Sequence, residues 1–393
     1  MSELELLFLI LVAIYAWECA CWVPRGSVAF LTWSGRRWQP VHPNTLLGNL
    51  RGGLVFAFPL PPLGTVLAGT QFPLSVSAEA VLAYVAPAVN PGGRPVQSAK
   101  LCRFDEFRAV AVKAKDVIVN DEVLVRAASP LLAAHLAEKL RLLGKTPAPA
   151  RAKAIENLMR EGFDTTAIER RWRAFQNQSA RVRLLTNFLF LYLFLLAPLA
   201  IWLFGLRLAW PALLVGLLAC TVATATSFRR CHKAFFPDAE DERFTHFLTI
   251  LLSPATTIRA HDVLSRPLLE MFHPLAIAKV FCADDTFRQF AERVLRDIRH
   301  PALPVCPGPE PGAQAVERYA RRLLQTAAEE FLERNGINPG ELAQPPMPAD
   351  ATCHSYCPRC LAQFTTTAGV CEDCGGLTLV AFASNGSVSQ RRV

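Results

Sequence analysis

Charge is scarce in this chain: Asp, Glu, Lys and Arg make up 19% of its 393 residues, and only eight of the 41 basic ones are Lys. GC-rich bacterial coding produces such an arginine bias unaided, so it is not read as a binding signal. Hydrophobic residues reach 52%. The excess comes in blocks, which points to membrane spans rather than to an unusually apolar core. Catalytic signatures are missing as well. There is no nucleotide-binding glycine loop, no GxSxG elbow, no kinase signature and no HExxH pair. An enzyme site could be drawn only from scattered groups between 229 and 305: His246, His261, His273, Asp262, Glu270 and the Asp284-Asp285 pair. Without a motif, capping and surface roles are the expectation for them. His42, in HPNTLLGNLRGG, sits among Gly and Asn residues that serve turns equally well.

The hydrophobic blocks have absences of their own. The first, residues 4–23, follows an acidic MSELE rather than a basic region and lacks a small-x-small cleavage site, so a retained anchor is expected. The second and third, 184–205 and 208–228, each have the ~20 residues that a helix needs to cross the hydrocarbon. Only Leu206 and Arg207 separate them, which predicts a tight antiparallel hairpin. These two contain no Asp, Glu, Lys or His, and transport pathways need such groups. Basic residues cluster after the first block (Arg25, Arg36, Arg37), before the second (Arg170, Arg171, Arg173, Arg181, Arg183) and after the third (Arg229, Arg230, Lys233). The positive-inside rule then puts the N-terminus outside and both polar regions in the cytoplasm of a bacterial inner-membrane protein.

The first polar region, 24–181, reads as a small α+β module. Alternating apolar runs flank Asn120-Asp121, a two-residue hairpin turn. Ser129 reads as an N-cap before Pro130, with a helix to about Leu143 and Gly144 at its end. Asp164 or Thr165 caps an Arg-rich helix that leads into the membrane. The second region, 229–335, reads as mainly helical; in its last helix Val316, Ala320, Leu323, Ala327 and Phe331 recur at helical spacing. Residues 336–352 read as a flexible linker.

Of the twelve cysteines, Cys19, Cys21, Cys220 and Cys231 near or within the spans read as small apolar residues, while the terminal ones face a reducing compartment, where a paired pattern points to metal rather than disulfides. Cys357, Cys360, Cys371 and Cys374 form CxxC, ten residues, CxxC. Two residues between thiols let one tight turn present both sulfurs to one ion, and a hairpin between the pairs closes a tetrahedron. Gly375 and Gly376 suit a turn that needs positive φ. Over residues 353–380 this resembles the zinc-ribbon family, departing at Leu361, where many such turns carry Gly. The resemblance implies a structural zinc held by those four thiolates, with Cys353 and His354 as bystanders. Between Cys353 and Val380 the charges are Arg359, Glu372 and Asp373 only. That is too little positive charge for a nucleic-acid reader and favours a protein partner.

The expected architecture is thus a multi-domain membrane protein: three transmembrane helices, a cytoplasmic α+β region, a cytoplasmic helical region and a small β zinc ribbon. The expected role is a non-enzymatic adaptor or assembly protein. The alternatives are a membrane-bound enzyme using the 229–305 histidines and a membrane-tethered regulator that contacts nucleic acid.

Overall fold

The computed structural model describes residues 3, 6, 7, 10, 21–24, 28–31, 54–57, 64–67, 74–84, 99–237, 239–300 and 312–382. The described chain is mostly helical with small sheets. It divides into two compact units, one of residues 1–73 and 104–287, the other of 74–103 and 288–393.

In the first unit, β1 (Cys21–Pro24) pairs antiparallel with β3 (Leu54–Ala57), and β2 (Val28–Leu31) with β4 (Gly64–Leu67). Most of the expected first span, 4–23, lies outside the described residues. Its last three residues, however, are strand rather than helix: Cys21 faces Ala57 and Val23 faces Val55. Trp and Val are strand formers, and Pro24 cannot continue a helix, so the sheet wins there. Among the described residues two helices, not three, are long and apolar enough to cross a membrane. His42 also lies outside the described residues.

The second unit takes β5 (Leu74–Val76), β6 (Ala80–Tyr84) and β7 (Ala99–Arg103), an antiparallel sheet in that order. Returning to the first unit, β8 (Val110–Lys113), β9 (Asp116–Val119) and β10 (Glu122–Arg126) form a meander. Asn120 (φ 51°) and Asp121 (φ 67°) turn β9 into β10, the double left-handed geometry of a type I′ hairpin. Asn120 also accepts from the Arg108 N–H at 2.8 Å and donates to the Glu106 carbonyl at 2.7 Å.

Helix α1 (Pro130–Lys145) starts as its sequence dictates: Ser129 accepts from the Leu132 N–H at 3.1 Å. Leu132, Ala133, Leu136, Ala137, Leu140 and Leu143 form its buried stripe. The helix runs through Gly144 to Lys145 instead of stopping at the glycine. Its last carbonyls are satisfied from elsewhere. Arg151, buried on α2 (Ala148–Glu161), donates to the carbonyls of Leu143 and Thr146 at 2.9 Å each while its guanidinium stacks over Phe104.

Asp164 caps α3 (Thr165–Leu191) through the Ala167 N–H at 3.0 Å. Its buried residues Ile168, Trp172, Phe175, Ser179, Val182, Thr186 and Leu189 alternate steps of four and three, the seam of a helix packed along a near-parallel neighbour. That neighbour is α5 (Leu206–Phe235), with Thr221, Thr224, Phe228 and Cys231 buried. Between them the chain passes through a π-helical turn (Tyr192–Leu196) and α4 (Ala197–Phe204). A π turn just before Pro198 accommodates the ring without loss of the helix. The hairpin expected at Leu206-Arg207 turns on Gly205 alone, at φ 74°, and both of those residues are already helical. Tyr192 donates to the Leu213 carbonyl at 2.7 Å, and Gly216 leaves room for it: a Cβ there would lie 2.5 Å from the Tyr192 oxygen.

After α5 come α6 (Glu240–Leu252), α7 (Pro254–Ile258), α8 (Ala260–Ser265) and α9 (Pro274–Phe281). α10 (Asp284–Arg299) begins in the first unit and belongs to the second from Arg288 on; there Arg299 joins it to α11 (Ala313–Arg334), donating to Glu329 at 2.8 and 3.0 Å. α11 packs Ala313 and Val316 against Ala80, Leu82 and Leu101 of the β5–β7 sheet. Residues 336–352, read as a flexible linker, include α12 (Pro339–Leu342), capped by Asn338. They are also fastened by Gln363, which accepts from the Ala349 N–H at 2.7 Å and donates to the Met347 carbonyl at 2.8 Å.

Candidate metal centre

The C-terminal module is small: β11 (Ser355–Tyr356) lies between β12 (Gln363–Phe364) and β15 (Val380–Ala381), and β13 (Val370–Cys371) pairs with β14 (Leu377–Thr378). Each cysteine pair occupies a tight turn at a strand end. In the first, the Leu361 N–H donates to the Cys357 carbonyl and the Cys357 N–H to the Ala362 carbonyl, at 2.9 and 2.8 Å. In the second, the Gly375 N–H donates to Glu372 and the Gly376 N–H to Cys371, both at 2.9 Å. The residue after each second cysteine is left-handed: Leu361 at φ 63° and Gly375 at φ 77°. Leu361 therefore shares the left-handed backbone of Gly375 and bears the strain of a side chain there.

Sulfur atoms of Cys357, Cys360, Cys371 and Cys374 all lie within 4.8 Å of one another, and those of Cys360 and Cys371 are 3.7 Å apart. A tetrahedron with metal–sulfur bonds of ~2.3 Å has edges of ~3.8 Å, so one ion fits the cluster. The separations are far beyond a disulfide bond, and all four thiols are free. Cys357, Cys371 and Cys374 are buried with Leu379, and Cys360 is exposed. Burial opposes ionisation of Cys357, but the N–H groups of Cys360 and Arg359 and the neighbouring thiols outweigh it and hold this thiol below the usual cysteine range. Burial, reinforced by sulfur neighbours, pushes Cys374 up. One thiolate is thus available first, and an ion's own charge would draw off the remaining protons. The four-cysteine cluster is compatible with a zinc-binding module. Cys353 is not among the clustered sulfurs, and His354 serves through its backbone, accepting from Phe382 and donating to Phe364.

Arg359 sits inside the first cysteine turn. Its Nε donates to Asp297 on α10 at 2.8 Å, which ties the cysteine module to the helical part of the same unit.

No protein family, curated protein or solved structure matches the chain. Function must be read from the site itself.

The groups between 229 and 305 do not converge on one centre. His273 stacks on Phe163 with ring centroids 4.5 Å apart, and its Nδ1 accepts from the Leu275 N–H at 3.3 Å as the cap of α9. His261 meets the Ser179 hydroxyl at 3.3 Å. Asp262 is paired with Arg266 at 2.9 Å and with Arg259 at 3.3 Å. Burial pushes the Glu270 carboxyl up, while the Ser129 hydroxyl that donates to it pulls down. Asp284 pairs with Lys279 at 3.0 Å, and Asp285 lies beside it in the first turn of α10. His246 lines a small cavity. That cavity, about 30 Å³ and lined by Ser129, His232 and Glu242 among others, has room for about a water molecule. Sequence reasoning had no reason to pick out His232, because its proximity to His246 depends on helix packing.

The buried histidines should make the first unit acid-labile. Burial pushes His261 down to about 4 and His273 down to about 3. The unfolded chain protonates both near the ordinary value, which the fold refuses to do. Their contribution is therefore complete above pH ~6.5 and is lost as pH falls toward ~4 and ~3, at about 1.4 kcal/mol per pH unit per histidine. In thermal unfolding of detergent-solubilised protein between pH 7.5 and 5, His273→Asn, which retains a capping acceptor, should show a shallower pH slope than the parent. Equal slopes would remove His273 from the account.

Leu361 gives a test of the cysteine turns. Left-handed backbone costs a non-glycine residue ~1–2 kcal/mol, and glycine returns ~0.5–1 of that in chain entropy. Leu361→Gly should thus stabilise the module by ~1 kcal/mol, read as a several-fold gain in zinc affinity by chelator competition. Unchanged or weaker binding would mean that the side chain packs productively.

Proposed function

We propose that the chain is a non-enzymatic adaptor or assembly protein anchored in the bacterial inner membrane, whose cytoplasmic body carries a structural zinc ribbon as a protein-contact module. The observation that carries the reading is the closed four-thiol cluster. Four thiolates fill zinc's tetrahedral shell and leave no open position for a substrate or an activated water. The module's one cationic side chain, Arg359, is neutralised by Asp297, so the ribbon offers little to a phosphate backbone. What it does offer is apolar: Val370 is 48% exposed and Val380 42%.

The membrane part of the proposal rests on Thr165–Phe204 and Leu206–Phe235, both long and apolar enough to cross a membrane. Only 22% of the most apolar stretch of each is buried within the structure, unlike the core helices of a soluble protein. Leu191, Leu195, Leu199, Trp202, Leu203, Leu208, Leu214, Val215 and Leu218 are all exposed. Arginines at the far end of both helices support a hairpin tip outside and a body in the cytoplasm.

Cross-linked capture from membranes tests the adaptor role with the full chain and with Val370→Asp/Val380→Asp. The expected result is loss of specific cross-linked partners with zinc content unchanged. Identical capture by both chains would make the ribbon a stabilising cap and sink the contact role.

A further inference from the structure

The exposed apolar surface does not end with the helical hairpin. On α6, Phe244 (62% exposed), Leu248 (38%) and Leu252 (79%) recur every four residues and so share one helix face. From Phe244 to Ile258 the sequence FTHFLTILLSPATTI contains no Asp, Glu, Lys or Arg, while Arg243 and Arg259 flank it immediately. At 13 residues, α6 is too short to span a bilayer, and its chain reverses at once.

Packing gives the depth of that reversal. α6 folds back along α5: His246 lies 6.1 Å from His232 and 6.0 Å, edge-on, from Phe228, and the Arg229 guanidinium stands 5.7 Å over Phe247. Beyond the turn, Ile258 is fully buried in a cluster with Leu189, and Leu193, Leu217 and Cys220 pack against that cluster. Cys220 and Leu217 lie ~12 and ~16 Å along α5 from Phe228, at 1.5 Å per residue. The cluster that holds the Ile258 side chain therefore lies inside the hydrocarbon layer and not at its surface. The chain then climbs out, since His261 meets Ser179, ten residues N-terminal to Leu189 on α3.

A turn at that depth must satisfy its own polar groups. Thr257 does so, donating to the carbonyls of Ile250 at 2.5 Å and Ser253 at 2.9 Å, while the Ser253 hydroxyl accepts from the Thr256 N–H at 3.3 Å. On the descending helix, Thr245 and Thr249 bond back to the carbonyls of Asp241 and Thr245 at 3.0 and 2.8 Å.

We propose that Phe244–Ile258 is a re-entrant membrane element: it enters the bilayer beside α5, reverses at Ser253 and leaves at Arg259, with Phe244, Leu248 and Leu252 against lipid acyl chains. The proposal rests on the membrane reading of the hairpin, and its test separates the two. A benzophenone amino acid is placed singly at Leu248, Leu252, Leu199 and Glu138 of the full chain and photolysed in native membranes. All four positions are exposed, so folding is preserved. Lipid adducts, read as a mass shift, are expected at Leu248, Leu252 and Leu199 and not at Glu138. Adducts at Leu199 without any at Leu248 or Leu252 would overturn the re-entrant element and leave the hairpin standing. Adducts at none of these positions would overturn both.

Discussion

Serine in place of Cys371 or Cys374 should abolish stoichiometric zinc in the full-length chain and expose the segment around 343–382 to limited proteolysis. Both thiols are buried, and with Cys357 and Leu379 they form the module's small apolar cluster, against which Phe364 and Leu377 pack. Three two-residue strand pairings cannot offset the conformational entropy of ordering such a segment. Structural zinc binding supplies ~10–16 kcal/mol in modules of this kind, so loss of a ligand is loss of the fold rather than a modest weakening. The rest of the chain keeps its own cores and should still unfold cooperatively. Full zinc retention in both variants would mean that the cysteines do not form one site.

Arginine introduced at both Leu199 and Leu214 should have the second large effect. The two positions lie on opposite arms of the hairpin and are exposed. A central arginine costs ~2.5–3.5 kcal/mol on insertion scales, so the pair costs ~5–7 kcal/mol, enough to undo integration of the hairpin. The expected readout is a chain extracted from membranes by carbonate or degraded, whereas the parent stays in the pellet. Arginine at exposed Glu138 and Leu142 of α1 is the matched control and should remain integrated. Unchanged membrane retention of the Leu199/Leu214 variant would contradict a spanning hairpin.

What was legible in the sequence is what depends on near neighbours. The Asn120-Asp121 turn, the Ser129 cap, the Asp164 cap and the paired-cysteine turns each need only a few consecutive residues, and each is present in the structure. Arrangements that depend on distant partners were not legible. Nothing in residues 74–103 announces a sheet that packs on α11, because Leu82 and Val316 meet only in the folded chain. The end of α1 shows the same competition in miniature: Gly144 stays helical because Arg151 and Thr146 satisfy the carbonyls that a glycine cap would have served. At the N-terminal block hydropathy hid a strand, since Cys21–Pro24 finds a partner at Leu54–Ala57. Segment 244–258 was not legible for a related reason: its apolar run is shorter than a span and is interrupted by His246 and four Thr, and the hydroxyl bonding of Thr245, Thr249 and Thr257 becomes visible only in the fold. Leu361 is the reverse case, a residue atypical for its turn whose left-handed backbone shows that the turn, not the side chain, governs the site.

The most direct measurement is X-ray absorption at the zinc edge on the full-length protein purified with its native metal. The expected result is one zinc per chain with four sulfur neighbours at ~2.3 Å and no nitrogen or oxygen ligand, the signature of a closed structural site. A shell with fewer sulfurs and an oxygen or nitrogen ligand, or protein without stoichiometric metal, would contradict a structural zinc ribbon.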